Sequence, residues 1–373
     1  MSRHNVRIAH LTSAHPRDDI RVFLKECRSL AQHGHEVALV VADGQGDETR
    51  DGVSIVDVGH STGRLGRMFK TTRRVYRKAL ELNADVYHLH DPELLPIGLK
   101  LKRWSRKVVF DAHEDVPKQI LGKHYLHPWG RRVLSWGFAH FEHYACRRFD
   151  GVVAATPFIR DKFLAINPCS VDINNFPMIG ELDSAVAWRD KADEVCYVGS
   201  IAQIRGVKEL VRAMQLTRTP VRLSLVGGFV EAQVEAEVQT YPGWDKVNAM
   251  GVQGRQGVRE VLGRSVAGVV TLHPTANYLD SLPIKMFEYM SAGIPVIASN
   301  FDLWRTIVQE SQCGLCVDPL DPAAIASAID HLVSQRAEAE TMGENGRRAV
   351  LTRYNWAREE VKLIEFYDRL LSS

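Results

Sequence analysis

Residues 268–299, GVVTLHPTANYLDSLPIKMFEYMSAGIPVIAS, show how the second half of this sequence folds. A β-branched run, Gly268–Leu272, comes first, a longer amphipathic stretch follows Pro283, and a second apolar run, Val296–Ala298, comes near the end. Short apolar strands separated by amphipathic helices are typical of βαβ units, whose strands pair in parallel. The segment therefore predicts a parallel sheet with helices packed on its faces.

The same alternation continues toward the N-terminus and predicts a second sheet of the same kind. In the first half we predict strands at Arg7–Ser13, Val37–Val41, Val53–Val56, Val86–His90, Val108–Asp111 and Val152–Ala155. The second half adds strands at Val195–Gly199, Arg222–Val226, Val247–Met250 and Leu315–Val317. Residues 167–188 are rich in turn formers. We therefore expect domains at 1–172 and 173–355, and a C-terminal helix, 356–373, that packs back toward the first domain.

The composition excludes several classes of protein. With 373 residues, of which 45% are hydrophobic and 25% charged, the chain resembles a globular protein of two domains. No stretch reaches the roughly 20 apolar residues that span a bilayer, and no signal-peptide pattern is present. The six cysteines are scattered, which indicates reduced thiols. We therefore expect a cytoplasmic protein.

Positive charge is concentrated in the first predicted domain. Residues 1–172 hold 27 Lys and Arg against 20 Asp and Glu, whereas the remainder holds 20 against 25. Residues 63–78 contain seven cations interleaved with Leu65, Met68, Phe69, Val75 and Tyr76. A second cluster contains Lys100, Lys102, Arg103, Trp104, Arg106 and Lys107. This bias indicates an anionic partner, for which sugar-lipid phosphates, a membrane surface and nucleic acid all qualify. The two clusters favour peripheral contact with the inner face of an anionic membrane, and we expect no nucleic acid partner. A solvated helix face is the alternative.

Loops that follow parallel strands are the usual ligand sites of such sheets. In the loop Asp280–Glu288, we expect Ser281 to be an N-cap and Pro283 to begin the helix, which would favour an anion at the helix start. Glu288 lies in an apolar run and needs a partner, because an unpaired buried charge is costly. Two ribose hydroxyls would supply that partner. A salt bridge with Lys285 or an arginine is the alternative.

A second loop, Gly199–Gly206, follows the first strand of the second domain. Gly199 and Gly206 permit close approach of the backbone to a ligand, and Arg205 supplies a permanent positive charge for phosphate. The alternative is that Arg205 is a solvated surface residue that binds no phosphate.

Two polar clusters follow strands of the first domain, at His88–Glu93 and Asp111–Asp115. Zinc would need three or four of these side chains to converge, which requires the two loops to meet. A structural role and a contact with a bound ligand are the other two hypotheses. The residues alone leave all three open.

The segment His15–Glu26 follows the first predicted strand. Arg21 and Lys25 lie four residues apart on a predicted helix, where they would hold the phosphate of a ligand. Pairing with Asp18 or Glu26 is an equally weighted alternative.

The two acids of the second domain carry a resemblance to a known family. Asp280 and Glu288, followed by Tyr289–Ser299, resemble the E-x7-E region of glycosyltransferase family 4. Gly199–Gly206 looks like the phosphate loop of that family, G-R-x4-K-G. The resemblance implies an α/β GT-B fold of two doubly wound Rossmann-like domains that face a cleft. The first domain would bind the acceptor and the second the nucleotide sugar.

The resemblance also implies site residues. The donor-binding set would be Gly199, Ser200, Arg205, Lys208, Asp280, Ser281, Leu282, Pro283, Lys285 and Glu288. The catalytic set would be His113, Arg205 and Asp280, and the acceptor-binding set Arg21, Lys25, His90, Asp91 and Glu114. Two positions depart from the family: Asp280 replaces its glutamate, and Ser200 its phosphate-loop arginine. Lys208 or Lys285 would then replace the missing cation beside Arg205.

The implied activity is transfer of a sugar, with retention of configuration, from a nucleotide diphosphate sugar, UDP-sugar being favoured. No Asp-x-Asp motif occurs in the sequence, so we expect no metal and no cofactor other than the donor. The acceptor would be a glycan or a polyprenyl-linked intermediate of polysaccharide biosynthesis. A nucleotide-sugar epimerase of the same fold and a non-catalytic nucleotide-sugar-binding protein are the alternatives. No Gly-x-Gly-x-x-Gly follows the first strand, which argues against a dinucleotide oxidoreductase.

Overall fold

The computed structural model describes residues 5–122, 127–183 and 186–372, with the side chain of Arg64 outside the description. The chain divides into two compact units. The first comprises Met1–Asn175 with Arg358–Ser373, and the second Phe176–Ala357. Within the described ranges, every helix is too short or too polar to cross a bilayer.

The first unit contains an eight-stranded sheet. Its strands are β1 (Arg7–Leu11), β2 (Glu36–Val41), β3 (Glu48–Arg50), β4 (Val53–Asp57), β5 (Val86–Leu89), β6 (Lys107–Ala112), β7 (Gly151–Ala154) and β8 (Ser170–Asp172). They are ordered β3-β4-β2-β1-β5-β6-β7-β8, and all pairs are parallel except β3 with β4. The sequence analysis missed β3 and β8, because three residues are too few to show a period.

Helices cover this sheet on both faces. They are α1 (Arg28–Gln32), α2 (Gly63–Leu65), α3 (Thr72–Leu82), α4 (Leu95–Lys102), α5 (Val116–Leu121), α6 (Pro128–Cys146) and α7 (Pro157–Leu164). Segments with π-helical hydrogen bonding, Ile20–Cys27 and Gly66–Thr71, precede α1 and α3. Residues of α3, α4, α6 and α7 form one core with alternate residues of β1 and β5. The other face of those strands meets Ile20–Cys27.

The second unit contains a six-stranded parallel sheet. Its strands are β9 (Glu194–Val198), β10 (Arg222–Val226), β11 (Val247–Gly251), β12 (Ala267–Val270), β13 (Val296–Ser299) and β14 (Gly314–Val317), ordered β11-β10-β9-β12-β13-β14. Its helices are α8 (Val207–Leu216), α9 (Ala232–Val238), α10 (Arg255–Arg264), α11 (Ala276–Leu279), α12 (Ile284–Ser291), α13 (Asp302–Ser311), α14 (Pro322–Ser334) and α15 (Arg336–Thr352). Helix α16 (Trp356–Ser372) then returns the chain to the first unit.

Short 3₁₀ turns complete the connections, at Pro92–Leu94, Trp188–Asp190, Gln203–Arg205 and Pro242–Lys246. In each sheet the direction of strand addition reverses between two central strands, β1 and β5 in the first unit and β9 and β12 in the second. Ligands of open parallel sheets bind beyond the carboxyl ends of the strands at such a reversal. The loops after these four strands are therefore the places where a site is expected.

In the second unit, the loops at the reversal approach one another backbone to backbone. Gly206 has φ +76°, and a Cβ there would lie 2.0 Å from the carbonyl oxygen of Thr271. Gly227 has φ +140°, and its Cβ would lie 2.0 Å from the carbonyl oxygen of Gly199. Only glycine fits these positions, because any side chain would collide with a carbonyl group. The glycines therefore fix the shape of the loop after β9.

Replacing Gly206 with Ala is expected to destabilise the second unit more than Gly251→Ala. Gly251 also has a left-handed φ, +64°, but a Cβ there meets nothing within 4 Å. Gly251→Ala should therefore cost only the conformational strain, about 1–2 kcal/mol, whereas Gly206→Ala adds the collision with Thr271. Urea unfolding followed by circular dichroism measures both losses. Equal losses would contradict the close approach.

Candidate functional site

The loop after β9 carries the first group of predicted site residues. The carbonyl oxygen of Ser200 accepts hydrogen bonds from Tyr197 Oη at 2.9 Å and from Arg205 Nη1 at 3.3 Å. Gly199 has φ +122°, a conformation that a side chain would strain. The loop therefore curls back on itself and holds the guanidinium of Arg205 beside Ser200, where both are accessible to a ligand.

Lys285, from α12, lies beneath this loop. Its Nζ is buried, lies 3.7 Å from the ring centroid of Tyr197, and has no hydrogen-bond partner among the described residues. A Cβ on Gly199 would lie 3.2 Å from this Nζ. Burial, and secondarily the charge of Arg205, lowers the pKa of Lys285 to about 7. An amine so placed gains both a proton and a partner when an anion arrives.

Lys208, the other candidate for the missing second cation, has a partner already. Its Nζ lies 2.6 Å from a carboxylate oxygen of Glu237. Of the two candidates that the sequence left open, Lys285 is therefore the one without an anionic partner among the described residues. The second unit offers Arg205 and Lys285 as neighbouring cations.

The start of α12 differs from the prediction in one detail. Ser281 was expected to be the N-cap, but Pro283 occupies that position, and Ser281 Oγ donates to the carbonyl oxygen of Tyr278 at 3.0 Å. Proline suits a helix start because it has no N–H to leave unpaired there. Trp304 Nε1 donates to the carbonyl oxygen of Ser281 at 2.7 Å and pins the loop. Asp280 is partly buried and is the C-cap residue of α11.

Leu282, also partly buried, packs against the hydrophobic core of the second unit. Glu288 lies inside α12 and is only 8% exposed. Its Oε1 lies 2.7 Å from Nη1 of Arg255, whose Nε lies 2.6 Å from Oε1 of Glu181. The arginine partner that the sequence analysis kept as an alternative is therefore present. The analysis did not find Arg255, because it belongs to α10, far from Glu288 along the chain.

Asp111 is the centre of the polar cluster in the first unit. It is fully buried and accepts from Arg21 Nε at 3.0 Å and Nη2 at 2.8 Å. His113 Nε2 and His90 Nδ1 lie 2.9 and 3.2 Å from Asp111 Oδ2. Burial acts to raise the pKa of Asp111, but Arg21 and the two histidines outweigh it and hold that pKa well below its usual range. Asp111 is therefore an ionised acceptor.

The expectation that Arg21 and Lys25 hold an acceptor phosphate is corrected by their burial. Arg21 is only 4% exposed, and its guanidinium also donates to the carbonyl oxygen of Ile173 at 2.6 Å. Lys25 is buried and donates to Asn175. Both residues lie in the segment Ile20–Cys27, which packs against one face of the sheet. Their side chains are therefore inside the first unit.

The two predicted polar loops of this unit do meet. His90 Nδ1 lies 3.4 Å from His113 Nε2, and both histidines contact Asp111. Asp91 is buried and accepts from Thr12 Oγ1 at 2.7 Å and from the amide of Ser13 at 2.6 Å. His90 and Asp91 are thus part of the frame of the loop. His113 remains partly exposed.

Glu114 is exposed and pairs with Gln119. Sequence reasoning did not assign His15 and Asp19 to the site. His15 Nδ1 lies 3.2 Å from Asp19 Oδ2, and the His15 ring lies 4.8 Å from the His113 ring. Asp19 caps Ile20–Cys27 by accepting from the amide of Val22 at 2.8 Å. A short acid directly before an amphipathic segment was the signal that could have found this cap.

Comparison with known proteins assigns both units to one family. Residues 20–173 match the family model described as "Glycosyl transferase 4-like domain", and residues 179–349 match "Glycosyl transferases group 1". The chain belongs to glycosyltransferase family 4. The family and enzyme class that the sequence predicted are thereby confirmed.

This family 4 glycosyltransferase is similar to proteins of known fold along nearly its whole length. Sucrose-phosphate synthase from Thermosynechococcus elongatus has a TM-score of 0.79 at 20% identity, covering 98% of this chain and 99% of that one. Anabaena HepE, in complex with UDP and glucose, has a TM-score of 0.76 at 14% identity, covering 98% and 100%. The predicted GT-B fold of two parallel-sheet domains is confirmed.

A curated relative adds a similarity in sequence. The phosphatidyl-myo-inositol mannosyltransferase of Mycobacterium leprae is 23% identical over 80% of this chain and 77% of its own length.

In this family 4 enzyme, Asp111→Asn is expected to cost about 3–5 kcal/mol, because it leaves the buried charge of Arg21 without its main partner. The control is Asp161→Asn, which breaks an exposed pair with Arg160 and should cost about 1 kcal/mol or less. Chemical denaturation at pH 7 measures both. Because the folded pKa of Asp111 is depressed, its contribution is present above about pH 4 and is lost as the pH falls further. Equal costs for the two variants would contradict a central role for Asp111.

Proposed function

We propose that this enzyme transfers a sugar from a nucleotide diphosphate donor, UDP-sugar being favoured, to a glycan or lipid-linked acceptor, with retention of configuration and without a bound metal. The observation that carries the proposal is the buried amine of Lys285, which has no hydrogen-bond partner in the described part of the chain and lies beneath the loop that holds Arg205. A buried cation is costly without a counter-charge. The diphosphate of the donor is the anion that supplies it.

The geometry of the loop supports the same assignment. Because Gly199 has no side chain, a phosphate can approach the backbone of the loop directly above the Lys285 amine, which lies 3.2 Å from the place that a Cβ would take. Arg205 adds a second, permanent charge on the same loop. Two cations and a glycine turn at a sheet reversal are suited to two adjacent phosphates.

Glu288 is proposed to bind the ribose of the donor. A carboxylate accepts hydrogen bonds from both vicinal hydroxyls, and Arg255 Nη1 lies 2.7 Å from Glu288 Oε1. Asp280 is proposed to contact the donor sugar. It is one methylene shorter than glutamate, so this contact is direct only if the sugar lies correspondingly close to the loop.

The proposed reaction replaces one bond at the anomeric carbon with another on the same face. The acceptor hydroxyl oxygen forms a bond to the anomeric carbon while the bond between that carbon and the donor phosphate oxygen breaks. The hydroxyl proton moves to the departing diphosphate. Arg205 and Lys285 stabilise the negative charge that develops on the leaving group, which is electrostatic preorganisation in place of a divalent ion. His113, partly exposed and oriented by Asp111, is proposed to contact a sugar hydroxyl.

Names of relatives support the choice of substrates. HepE was solved with UDP and glucose, which favours a UDP-sugar here. The Mycobacterium leprae relative is named for a phosphatidylinositol acceptor, which favours a lipid-linked acceptor. Because Arg21, Lys25, His90 and Asp91 are buried, the acceptor contacts proposed now are Glu114, His113 and His15.

An anionic membrane surface is proposed as a partner of the first unit. Leu65 and Phe69 are 71% and 68% exposed, beside the exposed cations Lys70, Arg73 and Arg77. The expectation that the apolar residues of 63–78 face a membrane is corrected for Val75, because Val75 packs in the core. A second exposed apolar stripe, which the sequence analysis did not identify, lies on α6 at Trp129, Val133, Leu134 and Trp136. Basic residues beside exposed apolar ones are suited to an anionic bilayer.

Donor affinity is expected to weaken as the pH rises above 7. The free enzyme holds Lys285 with a pKa of about 7, and the diphosphate binds its ammonium form, so the Kd rises up to about tenfold per pH unit between pH 7 and 9. Calorimetry with UDP-glucose in the presence of EDTA measures this. Lys285→Arg stays charged and should lose the dependence.

Lys208→Arg is the control for this experiment, because Lys208 is paired with Glu237 and should leave the pH dependence as in the wild type. A slope that survives in Lys285→Arg would remove Lys285 from the site. A requirement for added Mg²⁺ would contradict the metal-free mechanism, and the absence of binding by any nucleotide sugar would contradict the proposed function.

The enzyme is expected to sediment with phosphatidylglycerol-containing vesicles at low salt and to be released at high salt. Phe69→Glu/Arg73→Glu should lower the bound fraction, because each cation near the surface contributes about 1 kcal/mol, or roughly fivefold in affinity. The control is Val252→Glu, since Val252 is 81% exposed but lies in the second unit. Equal sedimentation of both variants and wild type would contradict this surface.

A further inference from the structure

A second cluster of polar side chains lies on the opposite face of the first sheet from the apolar core. His10 in β1 and His88 in β5 are register partners, so their side chains project from the same face. Glu26, in Ile20–Cys27, and Tyr367, in α16, pack against them. His10, His88 and Glu26 are fully buried. The proposed transfer reaction uses none of these side chains.

The hydrogen bond between Asp111 and His90 indicates which ring nitrogen of His90, and then of His10, carries the proton. Asp111 Oδ2 accepts from Arg21 Nε, and we therefore assign the proton of His90 to Nδ1, which faces the same oxygen at 3.2 Å. His90 Nε2 is then an acceptor for His10 Nδ1–H, 2.8 Å away. His10 Nε2 therefore presents a lone pair. It has no partner among the described residues.

Three more buried atoms of this cluster lack a hydrogen-bond partner among the described residues. His88 Nδ1 lies 2.8 Å from Tyr367 Oη, but His88 Nε2 has no hydrogen-bond partner in the described chain. Neither carboxylate oxygen of Glu26 has a hydrogen bond there. Arg21 Nε lies 3.1 Å from Glu26 Oε1, yet its single hydrogen is donated to Asp111. Four polar atoms that lack a hydrogen bond among the described residues, all inside one fully buried cluster, are far from the usual state of a protein core.

We propose that this cluster binds one divalent transition-metal ion of the zinc class through His10 Nε2, His88 Nε2 and the carboxylate of Glu26. One candidate ligand atom from each of His10, Glu26, His88 and His90 lies within 4.8 Å of the others. Two imidazoles and a carboxylate form a familiar zinc ligand set, with ligand distances of about 2.0–2.2 Å. An ion held by these side chains would supply a partner for His10 Nε2, for His88 Nε2 and for the carboxylate of Glu26.

The surrounding hydrogen bonds suit ligands of a metal. Histidines that bind a metal usually donate their other ring N–H to a partner that fixes the tautomer. His90, itself held by Asp111, does this for His10, and Tyr367 is placed to do so for His88. The site joins β1, β5 and Ile20–Cys27 inside the first unit. Its role is structural and separate from the metal-free transfer proposed above.

The sequence analysis predicted no metal and considered zinc only for other combinations of loops. His10, Glu26 and His88 show no ligand spacing of a known motif, because β1, a helical segment and β5 supply one ligand each. Parallel pairing of β1 with β5 brings His10 and His88 side by side.

Metal content of the full-length protein, produced with zinc and purified without a histidine tag, tests the proposal. Mass spectrometry is expected to find about one ion per chain. Protein unfolded with chelator and refolded with Co²⁺ should show the visible absorption of a bound cobalt ion. Refolding with Zn²⁺ should give a higher Tm than refolding with chelator. None of these measurements depends on transferase activity.

Variants locate the ion. His10→Gln and His88→Gln should each reduce the bound metal at least about fivefold, whereas His113→Gln, in the neighbouring group of His90, Asp111 and His113, should keep it. Loss of metal from His113→Gln with retention in His10→Gln would place the ion in that group and overturn this assignment. Wild-type protein with under about 0.1 ion per chain, and a Tm indifferent to Zn²⁺, would overturn the proposal whatever the variants do.

Discussion

The strand order of a doubly wound parallel sheet reverses between two central strands, and most features of this enzyme depend on that constraint. At the reversal, the connections leave in opposite directions, so the carboxyl ends of the two strands are not covered by a crossover. In the second unit, this edge gathers the loop after β9 and the loop before α12. In the first unit, it gathers the residues that follow β1 and β5. The predicted site residues lie in the segments that follow the two central strands of each sheet, or, for His113 and Glu114, in the loop after β6, which pairs with β5.

Burial of charge then separates the side chains into two kinds. Arg21 and Asp111 neutralise each other inside the first unit, which makes them a frame and removes them from contact with substrate. Lys285 in the second unit is buried beneath a glycine loop without such a partner, which leaves its charge for a ligand. The same desolvation thus gives a structural ion pair in one place and a candidate binding group in the other. Pairing, not residue type, makes the difference.

Predictions from sequence succeeded where the signal was periodic and failed where it depended on a distant partner. The two strands on either side of Asp280 and Glu288 lie where the apolar runs predicted them, within two residues at their ends, and α12 begins directly after Pro283. Ser281 was expected to cap α12 but does not, because Pro283 takes the position. Arg21 and Lys25 fitted an exposed helical face, yet Ile20–Cys27 has π-helical hydrogen bonding and is buried. The partner of Glu288, Arg255, was not identifiable.

The sequence by itself determined the fold class and the loops that carry the candidate site, because these follow from local periodicity, and it indicated the family through the resemblance of two of those loops to known motifs. Only the tertiary structure decided which cation lacks a partner, which histidines are buried, and that His10 and His88 lie side by side with Glu26. These properties depend on contacts between segments that are far apart in the chain. Hydrogen bonding and desolvation act over a few ångströms, and a sequence records no such distances until the strands have paired.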